Sequence, residues 1–449
     1  MLFSIMIAHA QGNLDTLPPQ INPLLSTIAQ DISMQRIESD VRTLVGFGTR
    51  NTLSDTMSSS RGIGAARRWI KATFEEIGNQ CNQCLEVFYQ DTLVPGENNP
   101  RIPVDTRIVN VVAVQKGTQH SNKYVLMTGD IDSRVSDALN ATDDAPGAND
   151  NASGMAGTIE AARVLSQYTF SHNIVYAGLS GEEQGLFGGK ALASWARQQG
   201  WEIIGVLNND MIGNIEGIDG TIDNKTFRIF SEPTPITDNE QKRVWNRFYG
   251  GEVDGPSRQL ARYIERITRQ YLPSLNPMMI YRLDRFGRGG HHRPFNDLGY
   301  PGVRIMEAYE NYNRQHQDLR TEDDIAYGDV IEGVNFSYAA KLTTVNAISL
   351  ASLAGAPAAP SNVMIGGAVS PSTTLRWDPV NDGQVLGYKI YWRETTAPQW
   401  QYQIYIGNVD EYTLENVIID NFLFGVASVG VNGDESIIQF PNTLIPRRR

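Results

Sequence analysis

Cysteine is nearly absent: Cys81 and Cys84, in CNQC, are the two residues of this type among 449. Two thiolates cannot complete a tetrahedral zinc site, which takes four ligands, and no nearby histidine supplies the rest. In an exported protein the pair reads as a local disulfide pinning the turn after a helix that ends near Gly78. The alternative, a thioredoxin-like redox motif, wants a following βαβ unit that the sequence does not show. Long apolar runs are missing as well. No window approaches the roughly 18 apolar residues needed to span a bilayer, so no membrane residence is expected. Basic residues are outnumbered, 38 Lys and Arg against 50 Asp and Glu, for a formal charge of -12. Nucleic acid is therefore not expected as a partner, because phosphate binding needs a basic surface. Histidine is scarce too, with six residues.

What is present is the composition of a globular protein, 41% hydrophobic and 20% charged, in a chain long enough for two or three domains. The opening MLFSIMIAHAQG is a short apolar run followed by Ala8-His9-Ala10, a small-residue cleavage pattern. Residues 1–10 read as the remnant of a secretory signal, implying a secreted or periplasmic protein. The run lacks a basic n-region, and an ordinary buried segment is the alternative. APAAPSN, Ala356 to Asn362, is a Pro/Ala-rich break that divides residues 11–355 from 356–449. Beyond it come TTLRWDPV, GYKIYWRE, QYQIYIG and FLFGVASVGVNG, short alternating strands of a small all-β sandwich. Before it, helical and strand patterns alternate, as in YVLMTG, SGMAGTIEAARVLSQ, NIVYAGLSGEE and GLFGGKALASWARQQG. This implies an α/β fold with a mostly parallel central sheet flanked by helices, where ligands gather at the carboxyl ends of strands.

Acids collect at those ends. Asp130 and Asp132 follow YVLMTG, Glu182 and Glu183 follow NIVYAGLSG, Asp210 follows GVLNN, and Asp150 lies in the turn-rich DAPGANDNASG before a helix. Carboxylates converging on one sheet edge repel one another unless cations neutralise them, so a polynuclear metal site is the economical reading. A solvated acidic rim needs no repeated placement at strand ends. Oxygen ligands alone suit magnesium or calcium, whereas an added imidazole favours zinc. His9 falls in the leader, and His120 and His172 sit in polar turns and read as solvated. His291, His292 and His316 remain.

DAPGANDNASG, SGEEQGLFGG, NNDMIG, GGHHRPFNDLGYP and NRQHQDLRTEDD occur in the order, and nearly the spacing, found in the co-catalytic dizinc metallopeptidases. Over about residues 28 to 352 the chain resembles that family, which includes bacterial leucyl aminopeptidases, glutamate carboxypeptidase and the single-zinc glutaminyl cyclases. The tail resembles a fibronectin type III module. The resemblance implies that Asp150 bridges two zinc ions, Glu182 is the general base, Glu183 and His316 complete the first site, and Asp210 serves the second. His292 is the runner-up ligand. In the family the strand ends in His-x-Asp, the Asp orienting a ligand His. Here it reads Asp130-Ile131-Asp132, so Asp130 is expected to bind the second ion itself, Asp132 being the family's orienting residue. Such an all-carboxylate site should be weaker or accept manganese or magnesium. A second departure puts His291 where the family usually has Asp.

The implied activity is a secreted aminopeptidase acting on peptides through an activated water. A carboxypeptidase, a glutaminyl cyclase-like enzyme and an inactive peptide-binding scaffold are the alternatives. The sandwich would bind a surface, a polymer or the catalytic domain. Arg50, Arg61 and Arg320 are substrate-contact candidates, with ordinary salt bridges as the simpler reading.

Overall fold

The computed structural model describes residues 17–97, 99–119, 121–381 and 383–446. The expected signal remnant, with His9, lies outside them, as does His120. Within them, residues 23–239 and 252–355 cluster as one compact unit, and residues 17–22, 240–251 and 356–446 as a second.

The first unit opens with helices α1 (Pro23–Asp31), α2 (Met34–Gly46) and α3 (Gly62–Gln80). The Ser33 hydroxyl caps α2 by accepting from the Arg36 N–H at 3.3 Å. Strands β1 (Leu85–Val94), β2 (Thr106–Gln115) and β3 (Lys123–Asp130) follow, then α4 (Gly154–Leu165), β4 (Asn173–Leu179), α5 (Phe187–Gln198), β5 (Glu202–Asn209) and β6 (Thr226–Ser231). Helix α6 (Glu240–Tyr249) is next in the chain. The unit resumes with α7 (Pro256–Tyr271), β7 (Asn276–Ile280), α8 (Arg293–Asn296), β8 (Gly302–Glu307), the small ribbon β9 (Arg320–Glu322) and β10 (Ile325–Tyr327), and α9 (Phe336–Gly355). A disulfide joins Cys81 to Cys84 just past α3.

Eight strands form one sheet in the order β1-β2-β4-β3-β5-β8-β6-β7. The pairs β4–β3, β3–β5, β5–β8 and β6–β7 are parallel, and the other three antiparallel. This is the expected α/β architecture. Strand β4 is buried along its whole length, as a central strand covered on both faces must be. Because β3, β4, β5 and β8 run side by side in one direction, the loops bearing Asp132, Glu183, Asp210 and the turn after Glu307 leave from the same edge. Gly129 matters here, since a Cβ on it would stand 2.7 Å from the Gly154 backbone. Its absence lets the Asp150 loop lie directly against the end of β3.

In the second unit, β15 (Glu411–Leu414), β12 (Thr373–Asp378), β11 (Ser361–Gly366) and β17 (Thr443–Leu444) form one sheet, and β14 (Tyr402–Gly407), β13 (Val385–Glu394) and β16 (Phe422–Gly430) the other. Leu375, Trp377, Tyr388, Ile390, Phe424 and Val426 fill the space between them. One pairing departs from the antiparallel pattern: β17 runs parallel to β11. Helix α6, within the expected 11–355 stretch, clusters with this unit instead, and its Trp245 ring N–H donates to the Pro441 carbonyl at 3.1 Å.

Candidate metal centre

Asp150 sits in the irregular turn Ala148–Ser153 that leads into α4. The Asp329 carboxylate holds this turn, accepting from the Asn149 N–H at 2.9 Å and the Asp150 N–H at 2.7 Å. Glu182 and Glu183 lie on the tight turn after β4, entered through Gly181 at φ +75°, a conformation suited to glycine. Asp132 fixes that turn: its two oxygens accept the Glu182 N–H at 3.2 Å and the Glu183 N–H at 3.1 Å, and the Thr52 hydroxyl adds a third bond at 3.1 Å. Its contacts are therefore with the turn that carries the expected base. His316 comes from the loop before β9 with φ +55°, which is uncommon for a residue with a side chain and tends to mark functional sites.

These segments converge. The His316 Nε2 lies 2.9 Å from Asp150 Oδ2 and 3.0 Å from Glu183 Oε1. One ligand atom from each of Asp150, Glu183 and His316 lies within 4.8 Å of the others. Arg134 braces the set, its Nε donating to Glu183 Oε2 at 2.8 Å and its other arm reaching His316 Nδ1 at 2.7 Å. Burial opposes the charge on His316, yet the Glu183 and Asp150 carboxylates overcome it and push the imidazole up to about 9. Burial likewise opposes ionisation of Asp150 and Glu183, and contact with His316 wins, holding both below the usual carboxylate range. A proton on His316 Nε2 thus stands between two carboxylates where a divalent cation would bind. One nitrogen and two carboxylates suit zinc, which accepts such mixed sets.

Glu182 shares this enclosure. Burial, followed by the charges of Glu183, Asp210, Asp130 and Asp150, pushes its carboxyl well above the ordinary range.

The residues expected at a second ion are placed differently. Asp130 Oδ1 meets His291 Nδ1 at 2.5 Å, and its Oδ2 accepts from the Asn151 amide at 2.7 Å. Burial pushes the Asp130 carboxyl up to about 8 and the His291 ring down to about 4. Burial thus disfavours the charged form of both partners. Asp210 Oδ2 lies 2.8 Å from Arg304, whose guanidinium also pairs with Asp284 at 3.1 Å and donates to the Gly289 carbonyl at 2.9 Å. Burial pushes Asp210 up to about 7 although Arg304 pulls the other way. Asp130 and Asp210 thus do not join the three-residue set, against the sequence expectation: Asp130 is turned to His291 and Asn151, and Asp210 to Arg304.

Other expectations resolve similarly. His292, the runner-up ligand, is turned away, its Nε2 at 2.8 Å from the Leu283 carbonyl. His172 is buried rather than solvated, with Nδ1 at 3.1 Å from the Ser121 hydroxyl. Arg50 is buried and donates to the carbonyls of Leu44, Ile131, Pro146 and Gly147. Arg61 pairs with Asp144 and Arg320 with Glu322. Arg134, Arg304, Asp284 and Asp329 were not singled out from sequence, although a lone arginine inside the otherwise apolar GVRIM stretch of β8 is a visible signal.

An α/β sheet whose carboxyl edge gathers two acids and an imidazole around one point, with a third acid alongside, defines a metal-dependent hydrolase. The model of Peptidase family M28 matches residues 110–332. A probable zinc metalloprotease of Leptosphaeria maculans is 41% identical over 93% of this chain and 96% of its own length. Another, from Pyrenophora tritici-repentis, is 38% identical over 93% and 97%. The fold is shared with the LapA aminopeptidase of Legionella pneumophila, at TM-score 0.55 and 17% identity over 76% of this chain and 77% of that one. The chain belongs to peptidase family M28. It is a zinc metallopeptidase, so peptides are its substrate class. Among the described residues no helix is long and apolar enough to cross a membrane.

Proposed function

We propose that the protein is a secreted zinc-dependent aminopeptidase. The observation that carries this is the convergence of Asp150, Glu183 and His316 beside a half-buried Glu182 whose carboxyl is pushed well above the ordinary range. Those three residues would hold the zinc, which when bound supplies a Lewis acid for the scissile carbonyl and lowers the pKa of water. Glu182 accepts the proton of the attacking water and returns it to the leaving amine. Asp132 keeps it in place by anchoring the backbone of the turn. The arginines nearby are committed: Arg134 to Glu183, Arg304 to Asp210 and Asp284, and Arg285 to Glu310. A carboxypeptidase would need a cation facing the substrate carboxylate.

Secretion is supported by the Cys81–Cys84 disulfide, a bond that persists in oxidising compartments. The two facing sheets of the second unit are compatible with a fibronectin type III module, for which binding of a surface or polymer is the role proposed. After zinc loading, amino-acid arylamides with a free amino group should be cleaved and their N-acetylated forms left intact. Cleavage of blocked peptides from a free carboxyl end would overturn the aminopeptidase reading. A single-zinc cyclotransferase is the second reading, favoured by the one three-residue set, and pyroglutamate release from a glutaminyl peptide would establish it.

A further inference from the structure

We infer that this peptidase holds one zinc ion per chain, and that the position beside it is closed by its own side chains: His291 covers Asp130, and Arg304, backed by Asp284, covers Asp210. The inference rests on reading Asp150, Glu183 and His316 as the zinc ligands and concerns what stands next to them.

Zinc–oxygen distances of about 2.0–2.2 Å require any two ligand atoms of one ion to lie within roughly 4.4 Å of each other. Among the described residues, the three-residue group that approaches this condition is Asp150, Glu183 and His316. Asp130 and Asp210 do not form a second such group with Asp150. The reason is visible at each residue. Both Asp130 oxygens are already engaged, one by the His291 ring nitrogen and the other by the Asn151 amide, which donates to it. A proton must lie in the 2.5 Å contact between oxygen and ring nitrogen, because two lone pairs would repel. An ion at Asp130 would therefore have to break one of these two buried contacts.

At Asp210 the compensating charge is permanent. Arg304 is completely buried on β8, and a guanidinium does not give up its proton in a protein. Asp284 and the Gly289 carbonyl hold it from the far side, so it cannot swing away without leaving a buried charge unpaired. A divalent ion at Asp210 would sit against this fixed cation. Asp210 Oδ1 and His291 Nε2 are buried without a hydrogen-bond partner, but neither belongs to a three-residue ligand group among the described residues.

Metal counting on the full chain tests this. Protein loaded with excess zinc and desalted should carry one ion by elemental analysis and native mass spectrometry. Glu183→Gln should carry none, and Asp210→Asn should still carry one. Two ions in the unaltered protein would overturn the inference while leaving the zinc reading intact; none would overturn both. Loss of zinc from a folded Asp210→Asn variant would also count against it. X-ray absorption at the zinc edge gives a second readout that needs no variant. No zinc–zinc scattering is expected, and a vector of about 3.5–4 Å, the spacing of two-metal sites, would sink the proposal.

Discussion

The side chains of Asp130 and His291, 161 positions apart, meet at 2.5 Å in the buried interior. The acid that stands at the end of β3 and the imidazole that stands just before α8 are thus two halves of one contact. Removing the imidazole should leave Asp130 buried with one partner fewer. His291→Ala is expected to cost about 1–3 kcal/mol, the scale for leaving a buried polar group without its partner. The exchange Asp130→His with His291→Asp should recover more than half of that. Urea unfolding of the unaltered protein, Asp130→His, His291→Asp and the double exchange measures the coupling in a double-mutant cycle, and additive effects would contradict the pairing.

Glu182→Gln should bind zinc normally and lose about 10²–10⁴-fold in kcat, the range of general acid–base catalysis. Zinc analysis alongside arylamide kinetics distinguishes this from loss of the ion. A glutamine variant of normal activity would remove Glu182 from its assigned role.

Arg134 touches both Glu183 and His316 without belonging to the three-residue set, so it acts by positioning. Arg134→Met should weaken zinc binding about 10–100-fold, as removal of outer partners typically does. At saturating zinc, kcat should stay within a few-fold of the unaltered enzyme. Competition with a chelator of known affinity gives the first quantity and steady-state kinetics the second.

The His316 proton makes zinc binding pH-dependent. Its pKa in the ion-free protein is raised from 6.5 to about 9, and zinc must displace that proton. Between roughly pH 7 and 9 the apparent affinity should rise about tenfold per unit, with about one proton released. Calorimetry in buffers of different ionisation enthalpy counts the proton. The same shift stabilises the ion-free fold. Because the folded pKa is above the unfolded one, that contribution is full below about pH 6.5 and is lost as pH rises through 9. Urea midpoints of the ion-free protein should fall across this window. A flat profile would place the proton elsewhere.

Much of the site was readable without coordinates. Strand patterns ending in acids marked the functional edge, and DAPGANDNASG, SGEEQG and NRQHQD carried Asp150, Glu183 and His316, which do converge. Asp132 and Glu182 fell on the loops expected of them. What could not be read was the partner of each acid. Arg134 lies two residues past Asp132 in the same loop, yet nothing in the local pattern marks it as the partner of Glu183 and His316. The bracing of the Asp150 turn by Asp329 spans 179 residues, and the contact of His291 with Asp130 nearly as many.

The sequence by itself determined the alternation of helices and strands, the acids at strand ends and the glycines that let loops turn there, because each depends on neighbours a few residues away. The tertiary structure alone decided which acids face a shared point and which are neutralised from within. That outcome depends on sheet order: β3, β5 and β8 are adjacent, which brings Asp210 and Arg304 within 2.8 Å. In a low-dielectric interior such a contact decides whether a carboxylate is free to hold an ion or already satisfied.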